Sequence, residues 1–169
     1  MIEVRKATLE DAKIMGEIHY YTWLSTYARL IDEGFLKSRS LQKSIDMFRQ
    51  MECKNHLVLT LDNQVVGLIG YGPSREESLP DYGEIIGLYV LKAYQKQGFG
   101  KTLLEHALEE LRNMGYYKLF LWVLAENQQA IRFYEANGFY HDGETKQLLL
   151  GKPVLEKRYQ RKESYGTNN

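Results

Sequence analysis

The stretch Tyr89-Val90-Leu91-Lys92-Ala93-Tyr94-Gln95-Lys96-Gln97-Gly98-Phe99-Gly100-Lys101 runs from an apolar strand through a short loop into a helix. Glycines at 98 and 100 let the backbone turn tightly and approach a ligand closely. Amides just ahead of a helix have no partner within it and sit at the positive end of its dipole. The segment is therefore a ready site for an anion. A Walker A loop would need a glycine where Gln95 stands, and a dinucleotide fingerprint starting at Gly98 would need one where Leu103 stands. What remains is Q-x-x-G-x-G.

Outward from this loop, residues 85–91 form a strong apolar strand. Residues 101–114 are predicted helical, with Leu103, Leu104, Ala107, Leu108, Leu111 and Met114 on one side and Gly115 placed to end the helix. Residues 119–124 are nearly all apolar, as in a strand buried on both faces. Together these make a βαβ unit with a right-handed crossover and parallel strands. Downstream, 127–137 is a short helix closed by Gly138, and two strands fit 139–150 and 154–161. Upstream, 56–61 and 64–71 flank Asp62-Asn63 as a hairpin, and 72–81 carries the longest loop signal. The chain opens with a strand over 2–7 and an N-cap at Thr8 with Asp11 three residues on. A helix bearing Ile14, Met15, Ile18, Tyr21, Trp23 and Leu24 follows, and a second helix covers 36–51. The fold class expected is α/β (α+β): a mixed, mostly antiparallel seven-stranded sheet flanked by helices, with one central parallel strand pair.

At 169 residues the chain is long enough to bury about two-thirds of its unfolded surface around one core. A single domain over 1–161 is expected, with a polar tail at 162–169 that frays. With 22 Lys+Arg against 22 Asp+Glu, nothing implies bulk attraction to nucleic acid or an anionic membrane. Cys53 is the single cysteine, so an intramolecular disulfide is excluded. No stretch approaches the roughly 20 apolar residues of a membrane span, and the N-terminus lacks an apolar signal core. A cytoplasmic location is expected, without nucleic-acid or membrane partners, and a homodimer is allowed for.

The loop Gln95-Lys96-Gln97-Gly98-Phe99-Gly100 fits the R/Q-x-x-G-x-G/A element of the GCN5-related N-acetyltransferase (GNAT) family. The run from Asn127 through Ala130, Phe133, Tyr134 and Glu135 to Gly138 and Phe139 fits that family's N-x-x-A-x-x-F-Y-E-x-x-G-F pattern. The chain resembles the family in order and spacing over essentially its whole length. The resemblance implies the GNAT acyl-CoA N-acyltransferase fold, acetyl-CoA as cofactor, and direct transfer to an amine in a ternary complex. It implies cofactor contacts from the backbone at Leu88, Tyr89 and Val90, from Gln95, Lys96, Gln97, Gly98, Phe99, Gly100 and Lys101, and from Asn127.

Asn127 and Tyr134 are seven residues apart, so on a helix they share a face, roughly 10 Å apart along the axis. Tyr134 is the candidate general acid: a phenol near pKa 10 has a proton to give at neutral pH. Glu84 is the candidate base, expected on the same strand face as Ile86, Leu88 and Val90, with His19 as the alternative. Trp23 and Tyr27 are candidates for the acceptor side, where aromatic faces suit a cationic amine. No metal ligand set is read. A small-molecule amine is the leading acceptor; a peptide N-terminus and a non-catalytic acyl-CoA-binding module are the rivals.

Overall fold

The apolar runs on either side of Asp62-Asn63 become β2 (His56–Leu61) and β3 (Gln64–Pro73) in the computed structural model, which describes residues 1–163. Both turn residues have positive φ, 49° and 68°, a conformation that Asp and Asn tolerate in two-residue hairpins. Strand β1 (Ile2–Lys6) pairs with β2, and β4 (Gly83–Val90) pairs with β3, all antiparallel. Strand β5 (Lys118–Leu124) lies parallel to β4. Strands β6 (Tyr140–Leu149) and β7 (Pro153–Lys162) complete a seven-stranded sheet in the order β1-β2-β3-β4-β5-β7-β6. The expected mixed sheet with one parallel pair is the one the chain forms.

Helices cover both faces. Helix α1 (Ala12–Tyr27) carries Met15 and Ile18 into a cluster with Phe48, Val58 and Leu68. The helix expected over 36–51 is two helices, α2 (Glu33–Ser38) and α3 (Leu41–Gln50). Between them Arg39 and Ser40 are extended, and the Ser40 hydroxyl accepts the Lys43 amide at 3.1 Å. A serine that satisfies an orphan amide starts a helix better than it continues one. Helix α4 (Phe99–Asn113) lies on the opposite face, burying Leu103, Leu104, Ala107, Leu108 and Leu111 against Leu57, Ile69 and Leu119. Each of these buried leucines and isoleucines contributes about 1.5–3 kcal/mol relative to exposure. Helix α5 (Gln128–Ala136) packs on the same side through Ile131 and Tyr134.

One irregularity decides where the sheet opens. In the β3–β4 register Tyr71 faces Ile85 and Gly70 faces Gly87, which leaves Ile86 unpaired. Such a bulge bends its strand and increases the local twist. The expected alternation of Glu84 with Ile86, Leu88 and Val90 therefore fails. Ile85, Leu88 and Val90 pack on the α4 side, while Tyr89 packs on the α1 side. Glu84, one residue before Ile85, is turned away from Leu88 and Val90. Pairing of β4 with β5 is confined to Gly83 with Leu119 and Glu84 with Phe120. Beyond the bulge the two parallel strands part.

At the other end, β7 includes Lys162, the first residue of the expected tail, and the Glu163 amide donates to the Tyr117 carbonyl. The rest of that tail, 164–169, lies outside the described residues. Among the described residues no helix is long and apolar enough to cross a membrane.

Candidate active site

Where β4 and β5 part, a cleft of about 910 Å³ opens, with residues 85–90 along one wall. From the α4 side it is lined by Gln95, Lys96, Gly98, Gly100 and Lys101, with Phe133 and Tyr134 of α5. From the α1 side it is lined by Tyr27, Trp122 and Glu156. Trp122 stands directly between Leu121 and Val123, which pack under α4, so on a strand it points to the other face. The cleft thus passes through the sheet, from the helix α4 terminus on one side to an aromatic and acidic wall on the other.

The loop geometry follows from its glycines. Gly98 caps α4 at φ 85°, and no atom lies within 4 Å of a Cβ built there. The residue is needed for its left-handed backbone, not for room. Gln95 Nε2 donates to the Val90 carbonyl at 2.8 Å and ties the loop to the end of β4. The amides of Phe99, Gly100 and Lys101, in the first turn of α4, have no partner within the helix. Lys96 and Lys101 add positive charge at this end. Gln97 and Phe99 do not line the cleft with their side chains: Gln97 reaches back to the Ala93 carbonyl, and Phe99 is buried in the core. Unpaired amides, a positive terminus and a β4 edge left without a β5 partner beyond Glu84 fit an extended ligand that carries a pyrophosphate.

Asn127 caps α5, its Oδ1 accepting the Ala130 amide at 3.2 Å, and its side chain lies near enough to Tyr27 to pull the phenol pKa down. Tyr134 is held edge-on by Phe133 and Phe139, with ring centroids 5.3 and 5.7 Å away. Burial pushes its pKa up, and Tyr27 nearby adds to this, so the phenol keeps its proton at neutral pH. Burial also raises the Tyr27 pKa, opposed by the nearby Asn127 side chain and helped by the Glu156 charge. Of the two aromatics expected on the acceptor side, Tyr27 reaches the cleft. Trp23 sits behind it, 5.2 Å from the Tyr27 ring, with the Arg39 guanidinium 4.5 Å over its own.

The two candidate bases stand elsewhere. Glu84 is 2% exposed and does not line the cleft. Its Oε1 accepts from the Arg75 amide and Nε at 3.1 Å each, and its Oε2 from Arg75 Nη2 at 2.7 Å. His19 is buried between α1 and α3, with Nδ1 3.0 Å from the Ser44 hydroxyl and the rings of Phe48 and Tyr89 edge-on. Burial, then the charges of Arg39 and His56, lower its pKa from 6.5 to about 4. As pH falls below 6.5 the unfolded chain takes up this proton while the folded one refuses it until near 4. Stability contributed above pH 6.5 is thus lost toward pH 4, by about 3 kcal/mol in all. His19→Gln is expected to flatten the decline across that window in urea-unfolding series; an equally steep decline would count against a buried neutral His19.

Two cleft residues, Trp122 and Glu156, carry no signal in the sequence. Trp122 sits inside an apolar strand, and Glu156 is one of several charges along β7. Only register unites them: Trp122 pairs with Arg158 and Leu124 with Glu156 across β5 and β7. Burial pushes the Glu156 carboxyl up, against the opposing pull of Lys146 and Arg75.

Residues 17–139 match the sequence profile of the Acetyltransferase (GNAT) family. The N-acetyltransferase YuaI of Bacillus subtilis, itself uncharacterized, is 33% identical over 137 residues, covering 80% of this chain and 79% of that protein. The spermidine N(1)-acetyltransferase of Thermoplasma acidophilum is 26% identical over 145 residues, covering 82% of this chain and 88% of that one. The crystal structure of the PaiA N-acetyltransferase from Thermoplasma acidophilum, solved with coenzyme A, superposes with a TM-score of 0.78. It shares 23% identity and covers 96% of this chain and 99% of its own.

Proposed function

This chain belongs to the GNAT family of acetyltransferases and is an acetyl-CoA-dependent N-acetyltransferase; on that premise we propose direct transfer of the acetyl group to a small cationic primary amine within one ternary complex. The observation that carries this reading is the cleft through the sheet. An anion-binding helix terminus lies on one side, and Tyr27, Trp122 and Glu156 lie on the other. Two ligands can enter from opposite faces and meet where β4 and β5 part. Aromatic faces beside a carboxylate suit an ammonium. The relative named for spermidine acetylation supports an acceptor of that class.

Acetyl-CoA supplies the acetyl thioester. The amides from Lys96 to Lys101 hold its pyrophosphate, and the β4 backbone at Leu88, Tyr89 and Val90 accepts the pantetheine arm as an added strand. A β4 amide there stabilises the oxyanion that develops on the thioester carbonyl. Asn127 fixes the start of α5 and, with it, the position of Tyr134, which donates its proton to the departing sulfur. The buried Cys53 is no rival nucleophile, since its thiol bonds to the Phe48 carbonyl under α3 and burial raises its pKa.

Acetyl-CoA at 100 times its Kd is expected to stabilise the folded chain by about 2.7 kcal/mol. For a domain of this size that is a rise of roughly 5–10 °C in Tm. A thermal shift series checks the cofactor, and an unchanged Tm at millimolar acetyl-CoA would overturn it. Release of free thiol across a panel of diamines, amino sugars and short peptides then tests the acceptor. Turnover confined to peptides would move the assignment to a peptide acetyltransferase.

A further inference from the structure

On the α1 face of the sheet the ammonium of Lys146, from β6, lies 4.3 Å over the Trp122 ring. It is 3.8 Å from a carboxylate oxygen of Glu76 and 3.8 Å from one of Glu156. Glu76 is anchored by the Trp122 indole N–H at 2.7 Å. An aromatic face with two carboxylates is a complete recognition set for a primary ammonium, and here the protein's own lysine occupies it. Glu156 belongs both to this set and to the cleft, where it faces Tyr27 and lies across from Leu124 at the mouth of β5. Glu84, by contrast, has both oxygens engaged by Arg75 and is turned out of the cleft.

We propose that Glu156 receives the acceptor ammonium and takes its proton, exchanging the Lys146 ammonium for that of the acceptor. This rests on the acetyltransferase reading and adds the proton acceptor to it. The ammonium gives one proton to Glu156, which later passes it to water. The freed amine nitrogen bonds to the thioester carbon as the carbon–sulfur bond breaks. The sulfur takes the Tyr134 proton, and the second nitrogen proton restores Tyr134. One acetyl amide, one thiol and one released proton balance the ammonium and thioester consumed.

Glu156 is faced by Lys146 from β6, Arg75 from the loop before β4 and Tyr27 from α1, with Arg158 two residues along its own strand. The two cations pull its carboxyl down against burial. Removing Lys146 therefore raises the pH at which Glu156 becomes a competent base.

The test uses the full chain with acetyl-CoA and 1,4-diaminobutane, spermidine and a short peptide as acceptors. Glu156→Gln is expected to lower kcat/KM for the amine by about 100-fold or more, within the range for a lost general base, and to abolish the acid limb of its pH profile. Glu156→Asp should restore part of both. Lys146→Met should shift the acid limb of the pH profile to higher pH. All three variants should keep the Tm rise with acetyl-CoA, which shows that they fold and bind it. An acid limb unmoved in both Glu156→Gln and Lys146→Met overturns the inference, as does its loss in Glu84→Gln alone. If wild-type protein releases no thiol with any acceptor, the acetyltransferase reading falls and takes this one with it. Wild-type turnover with a fully active Glu156→Gln sinks this inference alone.

Discussion

Tyr134→Phe is expected to lower kcat by about 100-fold, near the low end of the range for general acid catalysis. The low end is chosen because a leaving thiolate with a pKa near 8.5 departs tolerably without a proton. Only the hydroxyl is lost in this substitution. The ring keeps its edge-on contacts with Phe133 and Phe139 and its place in the core. The Tm rise with acetyl-CoA should therefore be preserved, and the defect should appear in kcat rather than in cofactor affinity. Because burial raises the Tyr134 pKa, the phenol stays protonated through the neutral range. The acid limb of the wild-type profile then belongs to the base and should persist in Tyr134→Phe. Steady-state kinetics at saturating acetyl-CoA settle the matter: a kcat within about threefold of wild type would remove Tyr134 from the chemistry.

Much of this site is local in the chain, and that part was legible in the sequence. A strand, a tight glycine turn and an amphipathic helix are each encoded within a few residues, so the βαβ unit and its anion-binding terminus follow from periodicity and turn chemistry. Asn127 and Tyr134 share a face because helical spacing alone puts them there. The break at Ser40 was not legible, because the apolar spacing of Leu36, Leu41, Ile45 and Phe48 runs through it and argues for one helix.

What could not be read depends on pairing between distant strands. The bulge at Ile86 exists only against Gly70 and Tyr71 of β3, and one extra residue exchanges the faces of everything that follows. Alternation counted along β4 therefore placed Glu84 with Leu88 and Val90, whereas the register turns it toward Arg75. Glu156 illustrates the same limit from the other side. Its position beside Tyr27 and Lys146 comes from the β5–β7 and β6–β7 registers, which no motif within β7 announces. Acceptor-side residues lie on separate elements brought together by the sheet, so their chemistry is scattered in sequence.

Gly16→Ala is expected to destabilise the protein by about 3 kcal/mol, the upper end of typical overpacking penalties. In an exposed helix the same change would stabilise by roughly 0.5–1 kcal/mol, because alanine is the better helix former. Here a Cβ would stand 2.6 Å from Ile45 Cα and 2.7 Å from Ile45 N. Those are backbone atoms of α3 and cannot rotate away, so the two helices must separate. The expected Tm drop is roughly 6–12 °C for a domain of this size. The consequence should reach the active site, because α1 carries Ser25, Thr26 and Tyr27 into the cleft ten residues further on. Displacing α1 moves Tyr27 and the acceptor wall, while the Gln95–Lys101 loop is anchored independently to β4 through Gln95. KM for the amine should thus rise more than KM for acetyl-CoA. A Tm equal to or above wild type would mean that the close approach of α1 to α3 does not depend on Gly16.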